Sequence, residues 1–251
     1  MSNNYLIEVC AANIQSVIAA QKGGAKRIEL VDNLFEGGTT PSFATIKKVR
    51  ELLDIKVNVM IRPRGSDFFY DDLEYEIMQD DILKCKDMGV DGVVFGILKP
   101  DGTVDMDRTK KLVELAWPMS TTFHRAFDVT SDPFNALEDI ISCEVERLLT
   151  AGQKNTVPEG MDLITKLVSQ SNGRIILMPG SGINENNIRE IATKTGATEF
   201  HMTGREKVES KMIYRKEGIY MGGNRSIPEF ETYITSQTRV SKVLQALNAT
   251  I

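Results

Sequence analysis

The sequence predicts an α/β protein, a (β/α)₈ TIM barrel spanning residues 1–251 as one domain, with an extended segment after the eighth strand. Three observations lead there. A phrase recurs along the chain: "QKGGAKRIELV" (21–31), "CKDMGVDGVVFG" (85–96) and "ATKTGATEFHMTG" (192–204) each join a helical end, a glycine and a short β-prone run. Glycine suits the left-handed position that closes a helix, and the apolar run suits a buried parallel strand. Eight such runs can be counted, and about 250 residues is the usual size of eight β–α units.

The eight runs are Leu6–Cys10, Arg27–Val31, Val57–Arg62, Gly92–Ile97, Thr121–His124, Arg147–Ala151, Arg174–Pro179 and Thr198–Met202. "ISCEVERLLTAG" (141–152) repeats the recurring phrase without its glycine. Between the runs lie helical patterns. "PSFATIKKVRELL" (41–53) places Pro41 in a first turn and spaces Ile46, Val49, Leu52 and Leu53 on a helical face. A helix over 72–88 presents Ile77, Ile82 and Cys85, and "NENNIREIATKTG" (184–196) has an asparagine cap and a terminal glycine. A doubly wound open sheet is the rival fold. No G-x-G-x-x-G follows the first strand, which removes the commonest reason to prefer a dinucleotide fold.

Two stretches break the regularity. "RPRGSDFFYDD" (62–72) is a long connection after the third strand, and 204–238 is a polar stretch of weak periodicity before a final helix over 239–249. Connections of such length are usually functional lids, partner contacts or disordered segments. The "MGGN" at 221–224 reads as a turn.

Composition narrows the function. The formal net charge of −5 argues against nucleic acid as a partner, because phosphate neutralisation needs a basic surface. Cys10, Cys85 and Cys143 are an odd number without a C-x-x-C pair, so a disulfide framework is not expected and a reducing cytoplasm fits. The N-terminus lacks signal-peptide character, and no apolar run is long enough to span a bilayer.

In such a barrel the C-terminal ends of the strands surround one mouth, where active sites sit. The segment "TTFHRAFDVTSDP" (121–133) therefore brings His124, Arg125 and Asp128 to that mouth. Other strand ends supply Glu8, Cys10, Glu29, Arg62, Arg64, Gln153, His201 and Arg205. Glu8 and Glu29 are flanked by apolar residues. An unpaired carboxylate on the helix-packed outer face is costly, so both are expected inside, paired with Arg62 or Arg125. Both histidines of the chain end strands at this mouth and are expected to titrate near neutral pH. After the seventh strand, Gly180, Ser181 and Gly182 precede a helix start. With Gly204 after the eighth, they form a candidate anion cradle of backbone N–H groups.

"IEVCAAN", "GGAKRIELVDNLFEGGTTPS", "VNVMIRPRGSDFFYDD", "DGVVFGILKPDGTVD", "TFHRAFD", "MPGSGIN" and "EFHMTGR" together resemble the CutC family, linked by name to copper homeostasis. The resemblance runs through nearly the whole chain. It implies a (β/α)₈ barrel, a homo-oligomer, a cytoplasmic setting and a Cu(I) role. Cu(I) is soft, and Cys10 is the candidate thiolate. Many members carry a second cysteine after the "RIEL" run, where this chain has Val31; the usual G-G-G after strand seven is G-S-G here.

Two functions are therefore expected. One is Cu(I) binding through Cys10. The alternative is an enzyme or sensor for a small anionic or phosphorylated metabolite. There Glu8, Glu29, His124 and His201 would be the acid–base candidates, and Arg62, Arg64, Arg125, Asp128 and the glycine loops would hold the anion. A scaffold that dimerises through 204–238 would explain that stretch but not the polar mouth.

Overall fold

A computed structural model describes residues 5–221 and 227–249. Eight strands alternate with helices: β1 (Leu6–Ala11), α1 (Ile14–Lys22), β2 (Arg27–Leu30), α2 (Phe43–Leu52), β3 (Lys56–Met60), α3 (Asp72–Asp87), β4 (Gly92–Phe95) and α4 (Met106–Ala116) form the first half. The second half is β5 (Ser120–Phe123), α5 (Pro133–Ser142), β6 (Arg147–Thr150), α6 (Val157–Ser171), β7 (Ile176–Pro179), α7 (Ile188–Thr195) and β8 (Glu199–Met202). Parallel pairing runs in the order β7-β6-β5-β4-β3-β2-β1-β8. A single parallel bridge, Gly180 to His201, draws the two ends together into a barrel. A β-carbon at Gly180 would stand 2.9 Å from the His201 Cβ and 2.5 Å from Leu149 Cδ1. The glycine is thus a requirement of closure, and its N–H, expected in the anion cradle, donates instead to the Thr150 carbonyl at 3.0 Å.

The recurring phrase behaves as its glycines predict. Gly24, Gly89 and Gly196 all have left-handed φ (98°, 67° and 74°) between a helix and the next strand. Glu144 takes the same conformation, with φ 60°, where the phrase lacks its glycine.

Several helix details differ from the sequence reading. The N-cap of α2 is Ser42, whose side chain accepts from Thr45 N–H, so Pro41 lies outside the helix. Helix α3 buries Tyr75, Met78, Ile82 and Cys85, while Ile77 faces outward, half exposed. Helix α7 begins at Ile188 and keeps the expected asparagine cap and terminal glycine, at Asn187 and Gly196. The stretch after β8 is more regular than its weak periodicity implied. It contains an antiparallel hairpin, β9 (Arg205–Glu209) with β10 (Glu231–Thr235), before α8 (Gln237–Asn248). Of the "MGGN" turn, residues 222–224 lie outside the described residues. No helix among the described residues is long and apolar enough to cross a membrane.

The barrel interior is polar. Arg27 donates from Nε to Glu8 and from Nη2 to Glu199, and Arg147 donates from Nε to the same Glu199 oxygen at 2.6 Å. Asn58 Nδ2 reaches Glu8 at 3.4 Å, and Arg147 Nη1 reaches the Thr122 hydroxyl at 3.3 Å. The expected partners of the buried carboxylates, Arg62 and Arg125, are committed elsewhere. The partner of Glu8 is Arg27, opposite it in register on the neighbouring strand.

Removing one member of a buried pair leaves the other charged and unpaired, which costs about 3–5 kcal/mol. Arg27→Met is expected to destabilise the fold by about that amount in urea unfolding. A loss well under 1 kcal/mol would show that the belt is not held by this arginine.

Candidate functional site

At the C-terminal end of the barrel lies a cavity of about 720 Å³, within the usual range for small-ligand sites. Its floor is made by residues from three adjacent strands: Cys10 on β1, Glu29 on β2 and His201 on β8. Register explains the meeting. Cys10 sits opposite Glu29, and Glu8 sits opposite His201. One ligand atom from each of Cys10, Glu29 and His201 lies within 4.8 Å of the others, and all three residues are buried.

The floor is ordered from below. His201 Nδ1 lies 2.9 Å from Glu8 Oε1, which leaves Nε2 facing Glu29 at 3.8 Å. Burial alone would raise the Glu8 pKa, but the Arg27 guanidinium and His201 hold it down at about 2. Glu8 is therefore a fixed anion and a poor general base. Burial opposes a charge on His201, yet Glu29 and Glu8 outweigh it and raise its pKa. For Glu29, burial outweighs the attraction of His201 and its pKa rises. Burial, with Glu29 alongside, pushes the Cys10 thiol well above its ordinary range. Glu29 Oε1 has no hydrogen-bond partner, a buried acceptor left open at the floor.

His124 stands on the opposite wall, at the end of β5, packed on Phe68 with ring centroids 5.0 Å apart. It accepts from Ala126 N–H through Nδ1 at 3.1 Å. Burial, reinforced by the Arg62 charge, lowers its pKa to about 3. The two histidines thus shift in opposite directions, and the expectation that both titrate near neutral pH is corrected: His124 stays neutral.

Most of the expected anion-binding side chains are already engaged. Arg62 donates to the carbonyls of Glu36, Gly38 and Ser66 at 2.7–2.8 Å, holding the loops after β2 and β3. Arg64 does not line the cavity; it binds Glu74 and Asp67 and braces the loop ahead of α3. Arg125 pairs with Asp128 at 2.6 Å and reaches the Lys154 carbonyl. Asp128 in turn accepts from the Thr150 hydroxyl and from the N–H groups of Ala151 and Gln153, fixing the loop after β6. These are braces of the mouth, and the strand-end pattern could not separate them from free groups.

Ser181 and Gly182 line the cavity, as does Gly204. Ser181 has φ 94° and Gly182 φ 73°. The second angle suits glycine; the first is unusual for a residue with a side chain and places strain at the mouth. Arg205, Arg239 and Tyr233 also line the cavity. Arg239 and Tyr233 had no sequence signal, because they reach the mouth only through the β9–β10 hairpin and the start of α8.

The CutC family profile matches residues 5–206. The chain belongs to the CutC family. A CutC family protein of Parabacteroides distasonis is 48% identical over 236 residues, covering 94% of this chain and 97% of that one. The human copper homeostasis protein cutC homolog is 44% identical over 239 residues, 95% of this chain and 88% of the relative. Among solved structures, CutC of Streptococcus agalactiae superimposes with a TM-score of 0.76 at 36% identity, over 79% of this chain and 98% of that one. A phosphoribosylanthranilate isomerase of Thermotoga maritima, 12% identical, matches with a TM-score of 0.58 over 97% of this chain and 98% of that one, a likeness of fold. Val31 packs with Cys10, Met60 and Val94 at the floor.

The histidine asymmetry has a measurable consequence. His124 refuses a proton down to about pH 3, whereas an unfolded chain takes it up near 6.5. In that window the unfolded state binds more protons, so stability falls as pH falls. Glu8, held at about 2 against 4.5, adds to the loss below pH 4.5 with the same sign. His124→Asn keeps a cap for Ala126 N–H and removes the titrating ring. Urea midpoints from pH 6.5 to about 4.5 are expected to fall less steeply in this variant than in the wild type. Equal slopes would mean that His124 is not held neutral.

Proposed function

We propose that this chain binds one Cu(I) ion as cargo, in the cytoplasm, with Cys10 Sγ and His201 Nε2 as donors. The observation that carries the reading is the buried convergence of Cys10, Glu29 and His201 at the open end of the barrel. Thiolate and imidazole are donors that a soft monovalent ion accepts, and two of them make a sufficient set. Glu8 holds the far nitrogen of His201, the carboxylate–imidazole support that orients metal-binding histidines. Glu29 is a harder donor and stands beside the two soft ones without joining the set. The relatives named for copper homeostasis support the same reading.

The missing second cysteine sets the character of the site. With Val31 in its place, the further soft atom near Cys10 is the Met60 thioether, which packs in the same apolar cluster. Binding must also remove a proton from a thiol whose pKa is raised.

Anaerobic competition titration with a Cu(I) chelator tests this directly. Wild type is expected to bind one ion, with apparent affinity rising about tenfold per pH unit as one proton is released. Cys10→Ser is expected to lose at least a hundredfold in affinity. Binding unchanged in that variant would sink the assignment.

A second reading, an enzyme or sensor for a small anionic metabolite, is favoured by size. A two-donor copper site uses only the floor of a cavity of about 720 Å³.

A further inference from the structure

Above the metal floor the cavity carries polar groups that no copper ion uses. The first is His124, which is 3% exposed. Its Nδ1 accepts from the Ala126 N–H, so the proton of the neutral ring sits on Nε2. That Nε2 has no partner. A buried donor with no acceptor costs stability, and such groups are normally satisfied. In a cavity wall, a bound molecule is the natural acceptor. The low pKa of the ring agrees with a neutral donor across the physiological range.

The second feature is on the loops after β7 and β8. The N–H groups of Gly182, Ile183 and Gly204 have no acceptor among the described residues. The first loop is pinned from outside. Ser181 Oγ donates to the Asn155 carbonyl at 2.7 Å, and Asn187 Nδ2 donates to the Gly182 carbonyl at 2.8 Å. Neither loop has room for a larger residue at its glycine. A β-carbon at Gly182 would come 2.9 Å from Thr156 Cβ, and one at Gly204 would come 2.9 Å from Met202 Cε. Arg205 stands beside them, stacked on Tyr233 at 4.8 Å. Unlike those of Arg62, Arg125 and Arg239, its guanidinium makes no hydrogen bond or ion pair among the described residues. Uncommitted backbone donors on two adjacent loops with one free guanidinium are the recognition chemistry of a dianionic phosphate.

We propose that the mouth binds a small phosphate monoester bearing a second oxygen acceptor, its phosphate on the loops after β7 and β8 and that oxygen on His124 Nε2–H. The site uses different walls from the Cu(I) floor, and its occupancy needs no metal. Its size fits a ligand of sugar-phosphate dimensions, whereas inorganic phosphate would fill one end and leave His124 unsatisfied.

Calorimetric titration and thermal unfolding of the full chain in the presence of a metal chelator test the proposal, with three probes: inorganic phosphate, ribose 5-phosphate and ribose. Ribose 5-phosphate is expected to bind at least tenfold more tightly than inorganic phosphate and to raise Tm at saturation. Ribose is expected to do neither. Arg205→Ala should weaken both phosphate probes about tenfold, the size of one lost charge-assisted contact. His124→Asn keeps the cap for Ala126 but has no atom at the Nε2 position. It should weaken ribose 5-phosphate alone, and His124→Gln, whose amide reaches that position, should restore part of the loss. The proposal is overturned if neither phosphate probe binds, if ribose 5-phosphate binds no better than inorganic phosphate, or if its binding is untouched by both Arg205→Ala and His124→Asn.

Discussion

The arrangement depends on the buried belt of Glu8, Arg27, Glu199 and Arg147 that crosses the barrel interior. Parallel strands closed into a barrel of this size leave an interior that side chains must fill. Here part of that filling is charged. Such pairs add little net stability compared with an apolar core, but breaking one is costly. Their effect is positional. Each carboxylate is held at a set height in the barrel, and everything above is built on Glu8. It fixes His201 through Nδ1, and His201 faces Glu29 and Cys10.

Closure of the barrel is the second constraint. The bridge between Gly180 and His201 places β8 beside β7, so the loops that follow them are neighbours at the mouth. The same closure puts a metal-type cluster on the floor and a set of unused N–H donors on the wall, a few residues apart in each strand. The positive φ of Ser181 belongs to this edge. A residue held in a sparsely populated conformation persists only where its surroundings over-determine it, and the hydroxyl bond to Asn155 is part of that determination.

The two histidines show how environment divides one chemistry into two. His201 lies among carboxylates, which favour its charged form; His124 lies between aromatic rings and an arginine, which disfavour it. Arg62 takes part in this division, because it both braces the loops after β2 and β3 and adds its positive charge to the burial that keeps His124 unprotonated.

How much of this could be read in the chain follows from the range of the forces. The eight strands, the left-handed helix ends and the gathering of strand-end polar residues at one mouth are local or periodic properties, written in hydrophobic pattern and glycine placement. The anion role of Arg64 and the pairing of Glu8 with Arg62 or Arg125 were not so determined. A guanidinium reaches across several elements, and its partner depends on register and loop path. Arg27 carried a faint signal, since it shares strand parity with Glu29, but nothing in "RIEL" says that it meets Glu8 and Glu199. The β9–β10 hairpin, the free state of Arg205, and the opposite protonation of His124 and His201 were decided only in three dimensions. Burial, hydrogen-bond satisfaction and the field of neighbouring charges are properties of the assembled barrel, and no stretch of sequence contains them.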